Sequence, residues 1–197
     1  MRSLRTQPFS ISPDPDLLYL TPALKSTVFK VQHVVENRQG LTAIMGDVGT
    51  GKSSVLRRLW ADYRKNGDEF VTAILPSPNF PSDFSMLKAI CNDFGIKPKR
   101  SMVDQENELR GFLIELDRED KTCVLFVDEA QKLKFKELEL VRAFLNFETD
   151  RHKLLQLVLA GQLELKERLQ LDSYKAIKSR VFTSSLLSPL TLQETTE

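Results

Sequence analysis

Apolar residues fall along the chain in two rhythms. Short, nearly continuous apolar runs occupy residues 41–45 (LTAIM), 71–75, 123–127 (CVLFV) and 154–160, with a weaker run at 181–187. Runs of this length and continuity predict strands covered on both faces. Between them, apolar residues recur every three or four positions. Thr21 followed by Pro22 predicts a helix N-terminus, with the helix running to about residue 37 and closed by Gly40. Val55, Leu56, Leu59, Trp60 and Tyr63 share one face of a helix over 52–65. Ser82 suits the cap of a helix that turns Phe84, Leu87, Ile90, Cys91 and Phe94 inward, and further helices are expected over 104–117 and 135–147. Strands alternating with helices predict a three-layer α/β domain on a five-stranded, mainly parallel sheet. Residues 1–20, with Pro8, Pro13 and Pro15, read as an extended arm, which leaves 21–197 for the core.

Composition narrows the partners. Lys and Arg number 28 against 27 Asp and Glu, a net charge of +1, which excludes a uniformly basic nucleic-acid coat and leaves room for a local basic stripe. With 41% hydrophobic and 28% charged residues, the chain is neither disordered nor fibrous. At 197 residues it can bury about 70% of the surface its unfolded form exposes, enough for a core without staples. No apolar run approaches the roughly 20 residues that span a bilayer, and the N-terminus lacks a secretory apolar segment. A cytoplasmic location is expected. Cys91 and Cys123 lie in apolar stretches without CxxC spacing and read as reduced core residues. His33 and His152 have no ligand-type neighbours, so a zinc site is not expected.

The chemistry begins at GDVGTGKS, Gly46, Asp47, Val48, Gly49, Thr50, Gly51, Lys52 and Ser53, followed by Ser54. This sequence satisfies GxxxxGK[ST] and lies between a predicted strand and a predicted helix, where that pattern binds triphosphates. Its glycines free backbone N–H groups to face phosphate oxygens, and the helix N-terminus adds a positive dipole end. Lys52 is expected to neutralise the β- and γ-phosphates of ATP, and Ser53 to ligate Mg²⁺. CVLFVDEAQ then ends a buried run in two acids. Asp128 is expected to hold the metal through water, and Glu129 to act as base toward the attacking water. The next apolar run ends in Gln162, whose amide could reach the γ-phosphate or that water.

Taken together, the phosphate loop, DEAQ, LNFET at 145–149, LVLAGQLEL at 157–165 and the entry FSISPDPDLLYLTPA resemble the AAA+ ATPases of the ExeA secretion type. That group includes similar regulators of DNA transposition, MuB and TnsC among them. The resemblance covers about residues 9–195 and implies three further roles. Leu18 and Tyr19 match the segment beside the adenine, Gln162 matches the sensor position on the fourth strand, and Arg180 matches the arginine finger that reaches a neighbouring subunit's γ-phosphate. A guanidinium suits that last task because its planar fork meets phosphate in two parallel bonds. Family members continue into a helical lid, whereas this sequence closes at LTLQETTE, so the resemblance leaves the lid missing or truncated.

The family's partners fall into two classes. In one, ATP-bound subunits assemble as a ring or filament on duplex DNA and hand a target to a transposase. The sequence handle for this is GIKPKRS, where Lys97, Lys99 and Arg100 offer cations to a phosphate backbone or simply to solvent. In the other, the ATPase serves a secretion or envelope system through protein contacts. The absence of a membrane anchor or cell-wall-binding region tilts the expectation toward DNA.

Overall fold

Parallel strands that are continuously apolar need helices on both faces. A computed structural model describes residues 20–189 and shows this arrangement. In chain order the elements are α1 (Pro22–Glu36), β1 (Leu41–Gly46), α2 (Lys52–Lys65), β2 (Phe70–Leu75), α3 (Asp83–Asp93), α4 (Met102–Arg118), β3 (Thr122–Val127), α5 (Phe135–Phe144), β4 (Leu155–Gly161), α6 (Leu163–Gln170), α7 (Lys175–Lys178) and β5 (Val181–Leu187). The sheet order is β2-β3-β4-β1-β5, and all four pairings are parallel.

Alternation along each strand sorts the core into two halves. Ile44, Val124, Phe126, Val158 and Leu187 meet Leu24, Val31 and Val35 of α1 and Val55, Leu56 and Leu59 of α2. On the opposite face, Leu41, Ala43, Leu125, Leu157 and Leu159 meet the helices that follow β2, with Leu87, Leu113, Leu138 and Leu165 among the fully buried contacts.

Several expected boundaries move for identifiable reasons. The helix expected over 104–117 starts at Met102 because Ser101 caps it, its hydroxyl accepting from the Asp104 N–H at 3.1 Å. α5 ends at Phe144 rather than near 147, because the N–H groups of Leu145, Asn146 and Phe147 bond to carbonyls three residues back. Ser82 does cap α3. Phe84, however, is only half-buried, and the Lys88 ammonium lies 4.2 Å from its ring centre. Met86 takes the inward place instead.

The lower end of the sheet, where the strands start, is tied by polar groups. Gln156, fully buried in β4, accepts from the Gly40 N–H at 2.8 Å and donates to the Lys153 carbonyl at 2.7 Å. Arg38 adopts a left-handed backbone (φ +50°) in the turn between α1 and β1. Its guanidinium donates to Thr122 Oγ1 (3.0 Å), Asp117 Oδ1 (2.8 Å) and Asp120 Oδ1 (3.3 Å), and its carbonyl accepts from the Lys153 N–H. Nε2 of His152 completes the cluster 2.7 Å from Asp117 Oδ1. One side chain thus joins the starts of β1 and β3, the end of α4 and the loop before β4.

Both cysteines are buried and unpaired. Burial is the main reason the Cys91 thiol is pushed up to about 11, with the Glu108 charge adding to the rise and a bond to Gln105 opposing it. Burial alone raises the Cys123 thiol. Because only the thiolate reacts, a disulfide reagent at mildly alkaline pH should titrate neither cysteine in the folded protein and both in guanidinium. Prompt reaction of the native protein would show a more open core around α3 and β3.

Candidate nucleotide site

Parallel order places the ends of β1, β4 and β3 side by side at the upper edge of the sheet. At the end of β1, Gly46 admits no side chain. A Cβ there would stand 2.4 Å from the Leu187 carbonyl oxygen and 2.9 Å from Thr50 Oγ1. Asp47, Val48 and Gly49 are exposed, and the loop returns through Gly49 (φ +80°) and Gly51 (φ +87°), a backbone suited to glycine. Thr50 Oγ1 donates to the Asp47 carbonyl at 2.8 Å.

Lys52 opens α2 and is buried, its ammonium donating to the Asp47 carbonyl at 2.5 Å and standing 3.5 Å from Thr50 Oγ1. Gly51 supplies no side-chain cap, and the first turn of α2 holds no acid. The unpaired N–H groups and positive end of the helix therefore face the loop, an arrangement that favours an anion. Ser53 and Ser54 follow, both half-buried.

From the opposite side comes the end of β3. Asp128 is buried, its N–H donates to the Leu75 carbonyl at 2.9 Å, and its Oδ1 accepts from Ser53 Oγ at 3.0 Å and from the Glu129 N–H at 2.9 Å. Residues 75 apart in sequence therefore meet as a hydroxyl and a carboxylate. Glu129 has a left-handed backbone (φ +54°), and its Oε2 accepts from Gln131 Nε2 at 2.8 Å with the Lys132 ammonium 3.6 Å away. Gln162 caps the start of α6 by position only. Its N–H donates to Gln131 Oε1 at 3.0 Å, and its side chain makes no capping bond.

A glycine-bounded loop, a buried ammonium, free helix N–H groups and a paired hydroxyl and carboxylate fit a nucleoside triphosphate with Mg²⁺, since hard oxygen donors are what Mg²⁺ takes. Ser53 and Asp128 are the residues that could hold the metal.

Arg180 lies elsewhere. It is exposed in the turn between α7 and β5. Leu41 pairs with Val181 and Gly46 with Leu187, so Arg180 sits at the lower end of the sheet. Six residues of strand separate it from the phosphate loop by roughly 20 Å. Its charge, after burial, helps lower the pKa of Lys153.

The three basic candidates between α3 and α4 are not equivalent. Lys97 and Arg100 are exposed, but the Lys99 ammonium pairs with Glu108 at 2.5 Å, and its N–H donates to buried Gln105. Glu108 and Glu115 line the adjoining groove. Leu18 and Tyr19 lie outside the described residues.

Two residues escaped sequence reasoning. Gln131 bridges Glu129 and Gln162, with no signal beyond its place two residues after the second acid. Arg168 of α6 donates to the carbonyls of Gln131 (2.5 Å) and Leu133 and lies over the Tyr174 ring. No helix among the described residues is long and apolar enough to cross a membrane.

The strand order, the loop between β1 and α2, and the acid at the end of β3 define a P-loop nucleoside triphosphatase. The chain belongs to the AAA domain family, whose model matches residues 35–169, and it is a P-loop ATPase. It is 32% identical to general secretion pathway protein A of Aeromonas hydrophila, an alignment covering 97% of this chain and 35% of that protein. The chain thus spans about a third of the relative's length. Among solved structures it resembles the Aeropyrum pernix ORC2 protein, with a TM-score of 0.64 at 16% identity over 89% of this chain and 51% of that one. It also resembles Drosophila ORC bound to DNA, with a TM-score of 0.66 at 17% identity over 89% of this chain and 45% of that one. These two likenesses describe the fold.

The crowding at Gly46 gives a direct expectation. Gly46→Ala should destabilise the protein by about 3 kcal/mol, the upper range for an overpacked site, because the new methyl meets a backbone carbonyl. A denaturation midpoint equal to that of the parent would contradict the close approach of β5.

Proposed function

We propose that the protein is an ATP-driven assembly switch that acts on protein components of a secretion or envelope-assembly system. In this reading subunits join when ATP is bound and part after hydrolysis. The observation that carries the partner class is the 32% identity to general secretion pathway protein A, which extends over nearly the whole chain. The pairing of Lys99 with Glu108 also leaves the basic loop poorer in free cations than its sequence suggests.

The site residues take the following roles. Lys52 exchanges the Asp47 carbonyl for β- and γ-phosphate oxygens. Ser53 and Asp128 hold Mg²⁺, which when bound neutralises charge on the phosphoryl oxygens. Glu129 accepts a proton from water as the water oxygen bonds to the γ-phosphorus. The bond to the β–γ bridging oxygen breaks, and ADP leaves with its electron pair. Gln162 orients the water or the γ-phosphate. Arg180 is too far from its own phosphate loop to serve it, so its guanidinium meets the γ-phosphate bound by a neighbouring subunit.

Lys52→Ala should weaken ATP binding at least tenfold. Glu129→Gln should retain binding while kcat falls about 100- to 10,000-fold, the usual contribution of a positioned base. Brisk turnover in Glu129→Gln would remove it from that role. Mixed Arg180→Ala and Glu129→Gln subunits should recover part of the lost activity, because Glu129 of the first faces Arg180 of the second. Absence of complementation would make Arg180 structural.

The partner class is tested by duplex DNA anisotropy and light scattering with a non-hydrolysable ATP analogue at low and moderate salt. Assembly without DNA binding is expected. ATP-dependent binding that weakens with salt would instead support a DNA-transposition regulator that delivers a target to a transposase, since phosphate contacts release counterions.

A further inference from the structure

The carboxylate proposed as the base does not stand free. Its Oε2 is engaged by the Gln131 amide at 2.8 Å, while the other end of that amide accepts the Gln162 N–H at 3.0 Å. A single side chain therefore links the acid after β3 to the end of β4.

Gln131 is itself held on several sides. Arg168 grips its carbonyl, and α6 carries Arg168 back to the Tyr174 ring. Gly161 leaves the space that Gln131 fills, since a Cβ there would come within 3.2 Å of both Gln131 N and Gln131 Oε1. Lys132, which donates to Ser77 Oγ at 3.0 Å, ties the turn to the loop that follows β2. An amide anchored in this way has little rotamer freedom left to lose when it orients a neighbour.

We infer that Gln131 is a positioning residue for hydrolysis: its amide N–H holds Oε2 of Glu129 so that Oε1 faces the water, and its amide oxygen couples that orientation to the end of β4. This rests on the reading of Glu129 as the base. The charged groups in contact with Glu129 are Asp128, whose Oδ1 accepts its N–H, and Lys132 on the same turn.

Two substitutions separate the two ends of the amide. Gln131→Ala removes both bonds. Gln131→Glu keeps an acceptor for the Gln162 N–H but presents no donor to Glu129 and adds a negative charge. Both variants should bind ATP with KM within twofold of the parent while kcat falls about 10- to 100-fold, as for loss of an orienting group.

Unchanged kcat in folded variants, or a loss carried by KM instead of kcat, would overturn the inference. Loss of fold in both variants would also overturn it, making Gln131 a structural brace. Glu129→Gln is the control: if it turns over normally, the assignment of the base has failed, whereas an inactive Glu129→Gln beside fully active Gln131 variants refutes only the role given to Gln131.

Discussion

Everything at the nucleotide end depends on one packing constraint, the insertion of β4 between β1 and β3. Each of its seven residues is buried, and its two neighbours run parallel to it in continuous register. A parallel register brings the carboxyl ends of all three strands to one edge, which is where open α/β sheets place ligands. The bond from Ser53 to Asp128 follows from this order, and so does the meeting of Gln131 with Gln162. Without a buried β4 the phosphate loop and the acidic turn would be remote segments of the chain.

The two ends of the sheet are built differently. At the lower end, Arg38, Asp117, Thr122, His152 and Gln156 bind strand starts, a helix end and a loop into one cross-linked set. At the upper end the backbone itself is arranged for chemistry, through left-handed glycines in the loop and a left-handed Glu129. Backbone in such regions persists where surrounding contacts over-determine it, and here the Gln131 and Lys132 side chains supply them. The phosphate loop itself, by contrast, rests on partners that can be replaced. Lys52 on a carbonyl and Ser53 on Asp128 are bonds that an incoming ligand can exchange without exposing the core.

What the sequence made legible was set by chemistry with a fixed spacing. The strands could be read because burial on both faces demands continuous apolar runs, and Gly46 to Ser53 because a backbone phosphate site requires glycine, lysine and serine at set intervals. Asp128 was visible as the first acid after such a run. Strand order was not, since it arises from pairing between segments far apart in the chain. The helix α6 also escaped notice, its three apolar residues, Leu163, Leu165 and Leu169, being too few to mark a period. Arg38 in a left-handed turn has no compositional signature, and the Lys99–Glu108 pair becomes apparent only when α4 packs beside its preceding loop.

Parallel register also bears on the role proposed for Arg180. It stands at the cross-linked end, about six strand residues from the phosphate loop. If Arg180 serves a neighbouring subunit as proposed, a rotation of the subunit by about 10° about its phosphate loop, roughly 20 Å away, would sweep Arg180 through about 3.5 Å, more than the length of a hydrogen bond. The sheet would then act as a lever that turns a small tilt at one bound nucleotide into contact or separation at the next.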